Sequence, residues 1–302
     1  MASLITLWLR EQLRLLKPII TRTGIDACRV AQDKLGELGA RAAASKTTIE
    51  NVPFPNFEAA AVVPTDCVDN EHVILYLHGG GYTAGSLSYA LGFGSVLAVR
   101  CGIPVFCVAY RLAPEHPFPA ALEDAVNAYR CLLSAGLSPE NISIVGESAG
   151  GGLLFGLCLW LKVHHIPLPS KLVALSPWTD LTLSGHSYDE NARRDPCLSE
   201  DSLRFYAQVY AKDNAQNPLV SPIFGDLHGL PPSLIFVGED EILLDDSVIL
   251  HKRLRDAGCK STLHIEPGLW HVYVLYGVPE ANAALERIRA FLLPGTAPSE
   301  GR

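Results

Sequence analysis

A serine placed between small residues is the feature of this sequence that most directly indicates chemistry. Residues 146–150 read GESAG, which matches the pattern G-x-S-x-G with Ser148 at its centre. The apolar stretch 142–145 precedes the motif and a helical stretch follows it, so the turn would present the serine hydroxyl at the end of a strand. On the pentapeptide alone, an incidental serine in a glycine-rich turn fits equally well. The strand–turn–helix context predicts Ser148 as a nucleophile.

A run of three glycines supplies the second motif. The segment 78–81 reads HGGG and directly follows the apolar stretch 73–77. Glycines let backbone N–H groups approach a ligand closely. After an early strand, such a run supplies an oxyanion hole together with the residue that follows the nucleophile. We therefore predict that the N–H groups of Gly80, Gly81 and Ala149 bind the developing negative charge. The other motif residues are expected to support this backbone: His78, Gly79 and Glu147.

A general base must accept the proton of the Ser148 hydroxyl, and histidine is the usual choice. In folds that place the serine of G-x-S-x-G on a strand-to-helix turn, the catalytic residues follow the order serine, acid, histidine along the chain. The histidines that follow Ser148 are His164, His165, His186, His228, His251, His264 and His271. His271 lies in a turn between the last apolar stretch and the final helical one, from which its ring can reach the edge of a sheet. We predict His271 as the base.

An acid must accept a hydrogen bond from the imidazole and fix its tautomer. Five carboxylates lie in the segment 238–247, GEDEILLDDS, which follows the apolar stretch 234–237. Asp245 and Asp246 are expected to start the next helix, where carboxylates serve as caps. Asp240 and Glu241 are therefore both candidates from the residues themselves.

The elements that must position these residues alternate regularly from residue 73 onward. Short apolar stretches rich in Val, Ile and Leu are typical of parallel strands covered on both faces. Their alternation with helical stretches predicts an α/β protein with a mostly parallel central sheet flanked by helices. The predicted strands are 47–54, 58–63, 73–77, 105–109, 142–145, 172–175, 234–237 and 261–265. The predicted helices of this part are 89–101, 119–135, 149–164, 246–257 and 280–292.

Two segments fall outside the alternation. Residues 1–46 are predicted to be helical, with breaks near Pro18 and Gly24. Residues 180–220 are polar and contain one helical segment, 200–210. A long insertion between two core strands indicates a cap over the end of the sheet.

The composition, with 48% hydrophobic and 19% charged residues, fits one globular domain over residues 1–302. The net charge is −8 and the basic residues are scattered, so no nucleic-acid partner is expected. The eight cysteines show no CxxC spacing, which argues against a metal site or disulfide framework and favours the cytoplasm. No stretch approaches the roughly 20 apolar residues of a bilayer span, so no stable membrane insertion is expected. The first helix is expected to be amphipathic and to pack on the body of the protein, with a position on a membrane surface as the alternative. Its apolar residues are Leu4, Leu7, Trp8, Leu13, Leu15 and Leu16.

Three motifs together resemble one family. HGGG at 78–81, GESAGG at 146–151 and YRLAPEHPFPA at 110–120 are similar to segments of the bacterial hormone-sensitive lipase-like esterases. The likeness runs from about residue 73 to about residue 291. The family usually has Asp before the nucleophile, where this chain has Glu147.

The resemblance implies an α/β-hydrolase fold in which residues 1–46 and about 180–217 form a helical cap that shapes the acyl pocket. His271 matches the family's histidine. The family spacing to the acidic pair Asp245-Asp246 implies Glu241, and not Asp240, as the triad acid.

The implied activity is hydrolysis of short- to medium-chain carboxylic esters through an acyl-enzyme, with a small-molecule ester as partner and without a metal or organic cofactor. An amide or formamide hydrolase with the same triad is an alternative. A second alternative is a ligand-binding protein of the same fold, similar to a plant hormone receptor that lacks the catalytic histidine. The presence of His271 argues against this alternative. The sequence does not identify the physiological ester. It does not determine the oligomeric state either, and a homo-oligomer is compatible with it.

Overall fold

A computed structural model describes residues 3–20 and 24–293. Within these residues, eight strands form one sheet in the order β1-β2-β4-β3-β5-β6-β7-β8. The strands are β1 Thr47–Pro53, β2 Glu58–Pro64, β3 Val73–Leu77, β4 Val105–Ala109, β5 Ile142–Glu147, β6 Lys171–Leu175, β7 Ser233–Gly238 and β8 Ser261–Glu266. Strands β3 to β8 pair in parallel, whereas β2 pairs antiparallel with β1 and β4. The mostly parallel sheet predicted from the apolar stretches is confirmed.

Helices cover both faces of the sheet, as predicted. The helices of the described ranges are α1 Leu4–Ile20, α2 Ile25–Ala43, α3 Leu87–Cys101, α4 Ala120–Ser134, α5 Ala149–Val163, α6 Ser187–Glu190, α7 Glu200–Ala211, α8 Leu244–Asp256 and α9 Pro279–Leu292. In β3, Leu75 and Leu77 belong to the core layer that contains α4, α5 and α8. Ile74 and Tyr76 belong to the layer that contains α3 and α9. This alternation is what a strand buried on both faces requires.

The first helix meets the body of the protein through a surface that differs from the expected one. Leu13 packs against the core, but Leu4 and Trp8 are 85% and 64% exposed. Polar contacts hold the helix instead, and Thr6 Oγ1 donates to Glu280 Oε2 in α9 at 2.6 Å. The apolar pattern predicted the helix correctly. The face of α1 that the apolar pattern predicted to contact the body of the protein is wrong, because side chains with specific polar partners occupy that interface.

The break expected near Pro18 is wrong, since α1 continues through Pro18 to Ile20. A proline removes one helical hydrogen bond, and in the last turn this interrupts little of the helix. The break near Gly24 is present, with α2 beginning at the next residue. None of the described helices is long and apolar enough to cross a membrane.

The insertion between β6 and β7 contains the predicted helix as α7 and, in addition, the short helix α6. A helix of four residues is too short to show a helical period, so no periodic pattern predicts it. Ser199 caps α7, because its side chain accepts from the backbone N–H of Ser202.

Candidate active site

The predicted site residues converge at one edge of the sheet. The HGGG segment follows β3, Ser148 follows β5, Glu241 follows β7 and His271 follows β8. All four strands are parallel, so their carboxyl ends lie at the same edge. Clefts at this edge are the usual ligand sites of α/β proteins.

Ser148 occupies a strained turn between β5 and α5. Its backbone angles are φ 51° and ψ −120°, a region that residues with a side chain rarely adopt. Two backbone bonds fix this conformation: Ser148 N donates to Leu175 O at 2.8 Å, and Trp178 N donates to Ser148 O at 2.9 Å. A Cβ at Gly150 would lie 2.0 Å from Leu77 O, so only glycine fits there. The motif glycine thus permits the close approach of α5 to β3.

His271 lies between the serine and a carboxylate. Its Nε2 is 2.9 Å from Ser148 Oγ, and its Nδ1 is 2.8 Å from Glu241 Oε2. An ionised carboxylate can only accept, so Nδ1 carries the hydrogen and Nε2 is free to accept from the serine. The structure therefore brings together Ser148, His271 and Glu241 in hydrogen-bonding order.

Glu241 is fully buried and held by further donors. Ser176 Oγ donates to Glu241 Oε1 at 2.8 Å, and Gly238 N donates to the same oxygen. Ser176 Oγ also accepts from Val272 N at 3.0 Å, which links it to the histidine loop. Burial raises the pKa of the Glu241 carboxyl, while the hydrogen bond from His271 lowers it. Sequence reasoning did not identify Ser176, whose contact depends on the order of the strands in the sheet.

Asp240, the other candidate acid, points away from the imidazole. Its carboxylate pairs with Arg10 at 2.5 Å and with Arg194, and its backbone N–H donates to Leu269 O at 3.1 Å. Neighbouring side chains in this turn point in different directions, so only Glu241 reaches the histidine.

Asp245 and Asp246 lie in the first turn of α8, as predicted, but the capping role expected of them is wrong. The residue before α8 is Leu243, which makes no side-chain capping bond. Asp246 Oδ1 accepts instead from the backbone N–H groups of Thr179 and Asp180, each at 2.8 Å. Asp245 Oδ2 accepts from Ser187 N at 3.1 Å. The pair fixes the insertion after β6, because its tertiary partners outcompete the local backbone.

The HGGG segment, which carries two of the predicted oxyanion donors, passes close to the serine. A Cβ at Gly79 would lie 3.1 Å from Ser148 Cβ, which shows how closely the HGGG segment passes the nucleophile. The N–H groups of Gly80, Gly81 and Ala149 donate to no acceptor among the described residues. Backbone N–H groups without an acceptor, in segments that meet near a serine hydroxyl, are the kind of donors that can bind the oxygen of an attacked carbonyl.

Glu147 ties the HGGG segment to the end of β5. This buried carboxylate accepts from Gly79 N at 3.0 Å, from Tyr89 OH at 2.7 Å and from Tyr76 OH at 2.5 Å. Burial raises the pKa of Glu147, and these three donors lower it. Its geometry fits the supporting role predicted for it, although no motif in the sequence indicated either tyrosine.

His78 also has a structural environment. Its ring is buried and stacks on Tyr110 with centroids 4.3 Å apart, and its Nδ1 lies 2.7 Å from Gly79 O. Burial lowers the pKa of His78 to about 4, against the opposing effect of the bond to Gly79. A neutral, stacked histidine of this kind supports the loop.

Comparison with known proteins assigns the family. A sequence profile of the alpha/beta hydrolase fold matches residues 74–275. An acetyl-hydrolase from Streptomyces hygroscopicus is 42% identical over 226 residues, which are 74% of this chain and 76% of that protein. A crystal structure of EstE5 soaked with p-nitrophenyl butyrate has a TM-score of 0.90 and 36% identity, covering 96% of this chain and 98% of that one. A crystal structure of an esterase from the bacterial hormone-sensitive lipase family has a TM-score of 0.87 and 35% identity, covering 97% of this chain and 98% of that one.

The chain therefore belongs to the α/β-hydrolase fold family. Within it, the chain is a member of the bacterial hormone-sensitive lipase family of esterases, a serine hydrolase of the carboxylesterase class. The resemblance drawn from the three motifs is confirmed.

Proposed function

We propose that this enzyme hydrolyses carboxylic esters with Ser148 as nucleophile, His271 as general base and Glu241 as the orienting acid. The observation that carries the proposal is the continuous contact from Ser148 Oγ to His271 Nε2 at 2.9 Å and from His271 Nδ1 to Glu241 Oε2 at 2.8 Å. A base within hydrogen-bond reach of the hydroxyl, itself held by a carboxylate, is the arrangement that activates a serine.

The reaction follows from these positions. Ser148 Oγ attacks the ester carbonyl carbon while His271 Nε2 takes the hydroxyl proton, and the carbonyl electron pair moves to oxygen. The N–H groups of Gly80, Gly81 and Ala149 donate to that oxyanion. In well-studied hydrolases, the loss of one such donor raises the activation free energy by about 3–4 kcal/mol. The C–O bond to the alcohol then breaks, and the alcohol leaves with the proton from His271. Water, deprotonated by His271, attacks the acyl-enzyme and releases the carboxylic acid and the free serine. Side chains and water complete this route, and we propose no cofactor.

We propose short- to medium-chain acyl esters as the substrate class and a cap formed by residues 1–46 and about 180–217 of one domain. Tyr206 of α7 supports this, because a Cβ at Gly81 would lie 2.7 Å from its ring. In α2, Gln32 Oε1 would lie 3.0 Å from a Cβ at Gly80. Both cap segments therefore reach the proposed oxyanion loop and limit the space beside the nucleophile. The related acetyl-hydrolase and the EstE5 structure soaked with p-nitrophenyl butyrate point to short acyl groups as well.

The nucleophile is tested by labelling with an organophosphate, followed by mass spectrometry of the digested protein. The adduct is expected on Ser148, and Ser148→Ala is expected to lose about 10⁶ in kcat. An adduct on another serine, or substantial activity in Ser148→Ala, contradicts the assignment. Assaying p-nitroacetanilide beside p-nitrophenyl acetate tests the ester class, because faster cleavage of the anilide would identify an amide hydrolase.

The acyl-chain preference is tested with p-nitrophenyl esters from acetyl to dodecanoyl. The wild-type enzyme is expected to prefer the short members, and Tyr206→Ala to shift the optimum to longer chains. Phe205→Ala is the matched control, since Phe205 is a neighbouring aromatic residue of α7 that is 45% exposed. An unchanged profile in Tyr206→Ala would show that α7 does not set the preference.

We further propose that the enzyme acts on a small-molecule ester in the cytoplasm. All eight cysteines lie among the described residues, and no disulfide joins any of them. Thiols that include the buried Cys101, Cys107 and Cys158 fit a reducing compartment. Fractionation of cells that express a tagged full-length chain tests this, and recovery outside the cytoplasmic fraction would contradict it.

A further inference from the structure

Arg10 in α1 contacts both of the loops that carry the proposed acid and base. Its Nη2 lies 2.5 Å from Asp240 Oδ2, on the residue next to Glu241. Its Nη1 donates to Gly268 O at 2.9 Å, three residues before His271. One guanidinium therefore spans the acid loop and the histidine loop from the side of the first helix.

This contact is largely shielded from water. The side chain of Arg10 is 18% exposed and that of Asp240 is 4% exposed. A planar guanidinium can serve two acceptors at fixed angles, which a lysine cannot. The loops also meet directly, because Asp240 N donates to Leu269 O at 3.1 Å. Arg10 thus adds a second link between two loops whose separation sets the contact of Glu241 with His271.

The second cap segment holds the acid loop from the same side. Asn191 Nδ2 donates to the carbonyl oxygens of Glu239 and Glu241, each at 3.0 Å. Asp195 Oδ2 accepts from Ile242 N at 2.9 Å. Arg10 joins this group as well, since its Nη2 donates to the backbone oxygen at position 194 at 3.3 Å. The backbone around the proposed acid therefore depends on side chains from both segments outside the alternating fold.

We propose that Arg10 is a positioning residue, which couples the docking of the first helix to the alignment of Glu241 with His271. The proposal rests on the triad proposed above. Without Arg10, the helix loses its link to both loops. The imidazole can then sample orientations in which Nε2 no longer faces the serine hydroxyl. Misplacement of a catalytic group by about 1 Å can cost about 10² in rate.

The test compares full-length Arg10→Gln and Arg10→Lys with Arg14→Gln as the matched control. Arg14 lies on the same helix with its side chain 54% exposed, and it donates to Arg193 O at 3.3 Å. For p-nitrophenyl acetate, Arg10→Gln is expected to lower kcat by about 10- to 100-fold with KM changed by less than about threefold. Arg10→Lys is expected to recover part of the loss, and Arg14→Gln to stay within about twofold of wild type.

Three further measurements separate an effect on the position of the catalytic groups from an effect on the stability of the whole protein. The rate of Ser148 labelling by an organophosphate should fall with kcat, while circular dichroism at the assay temperature shows the fold unchanged. In the double variant Arg10→Gln/Asp240→Asn, the losses should be less than additive, because the two side chains share one interaction. Should Arg10→Gln fail to fold, Asp240→Asn alone carries the test, with an expected loss of about 10-fold.

Equal kcat values in the Arg10 and Arg14 variants would overturn the proposal, and so would a loss confined to KM. Wild-type kcat in Asp240→Asn would overturn it too. Failure of the triad itself is recognised separately, because Glu241→Gln or His271→Ala would then keep the activity whatever the Arg10 variants show.

Discussion

The half of the site around Ser148 and the half around Glu241 and His271 are held in place by different parts of the molecule. Ser148 is fixed from within the sheet, where its backbone N–H bonds to Leu175 O and Glu147 ties the neighbouring loop to β5. The Glu241 loop is fixed in part from outside the sheet, by the Arg10 and Asn191 side chains of the two proposed cap segments.

The difference separates the part of the site that the core determines from the part that the proposed cap segments can modify. The nucleophile turn is built from neighbouring residues of one buried sheet, so it forms when the sheet forms. The acid–base pair also needs contacts between residues more than 200 positions apart, as with Arg10 and Asp240. We therefore expect substitutions around Ser148 to affect folding and chemistry together, and substitutions at the cap contacts to lower kcat while the sheet stays intact.

The largest effect that tests this comparison is expected at the proposed acid. Glu241→Gln should lose about 10⁴ in kcat, because an amide can hold the imidazole in the wrong tautomer. Asp240→Asn, the matched change at the neighbouring residue, should lose only about 10-fold, since its contact is with Arg10 and not with the imidazole. Steady-state kinetics with p-nitrophenyl acetate measure both values. The reverse order would assign the acid to Asp240.

The sequence predicted the sheet because buried parallel strands carry their own signature of Val, Ile and Leu. It also led to Ser148 and His271, since a short motif and the chain order of the fold identify them. Glu241 needed the spacing of a related family, because the choice between adjacent carboxylates depends on the direction in which each side chain leaves the turn.

The contacts that the sequence did not indicate are tertiary ones. Ser176 reaches Glu241 only because β6 lies between β5 and β7 in the sheet. Asp245 and Asp246 start α8 as predicted, but they do not cap it, because capping preference is a local rule and their partners lie in the insertion after β6. Arg10 looked like one of several scattered cations, and nothing in its neighbourhood along the chain indicates Asp240.

A smaller effect is expected on the Ser148 side, at the carboxylate behind the nucleophile. Glu147→Gln removes the anion that accepts from Gly79 N, Tyr76 OH and Tyr89 OH. The oxyanion loop should shift, and kcat should fall by about 10- to 100-fold together with a lower melting temperature. Tyr89→Phe is the milder control, because it removes one of the three donors and keeps the charge. A fall in kcat at unchanged melting temperature in Glu147→Gln would contradict the expected coupling of folding and chemistry on this side.

The smallest effect concerns the pH dependence of stability on the same side. Burial lowers the pKa of His78 from about 6.5 to about 4. Between these values the unfolded chain binds a proton that the folded protein does not, so the free energy of unfolding must fall as the pH falls. From pH 7 to pH 5 this amounts to about 2 kcal/mol for this one group. His78→Asn should be less stable at pH 7 but should lose about 2 kcal/mol less over the same interval, as measured by urea unfolding at each pH. Equal pH dependence in the two proteins would mean that folding leaves the pKa of His78 unchanged, so that its burial does not lower that pKa.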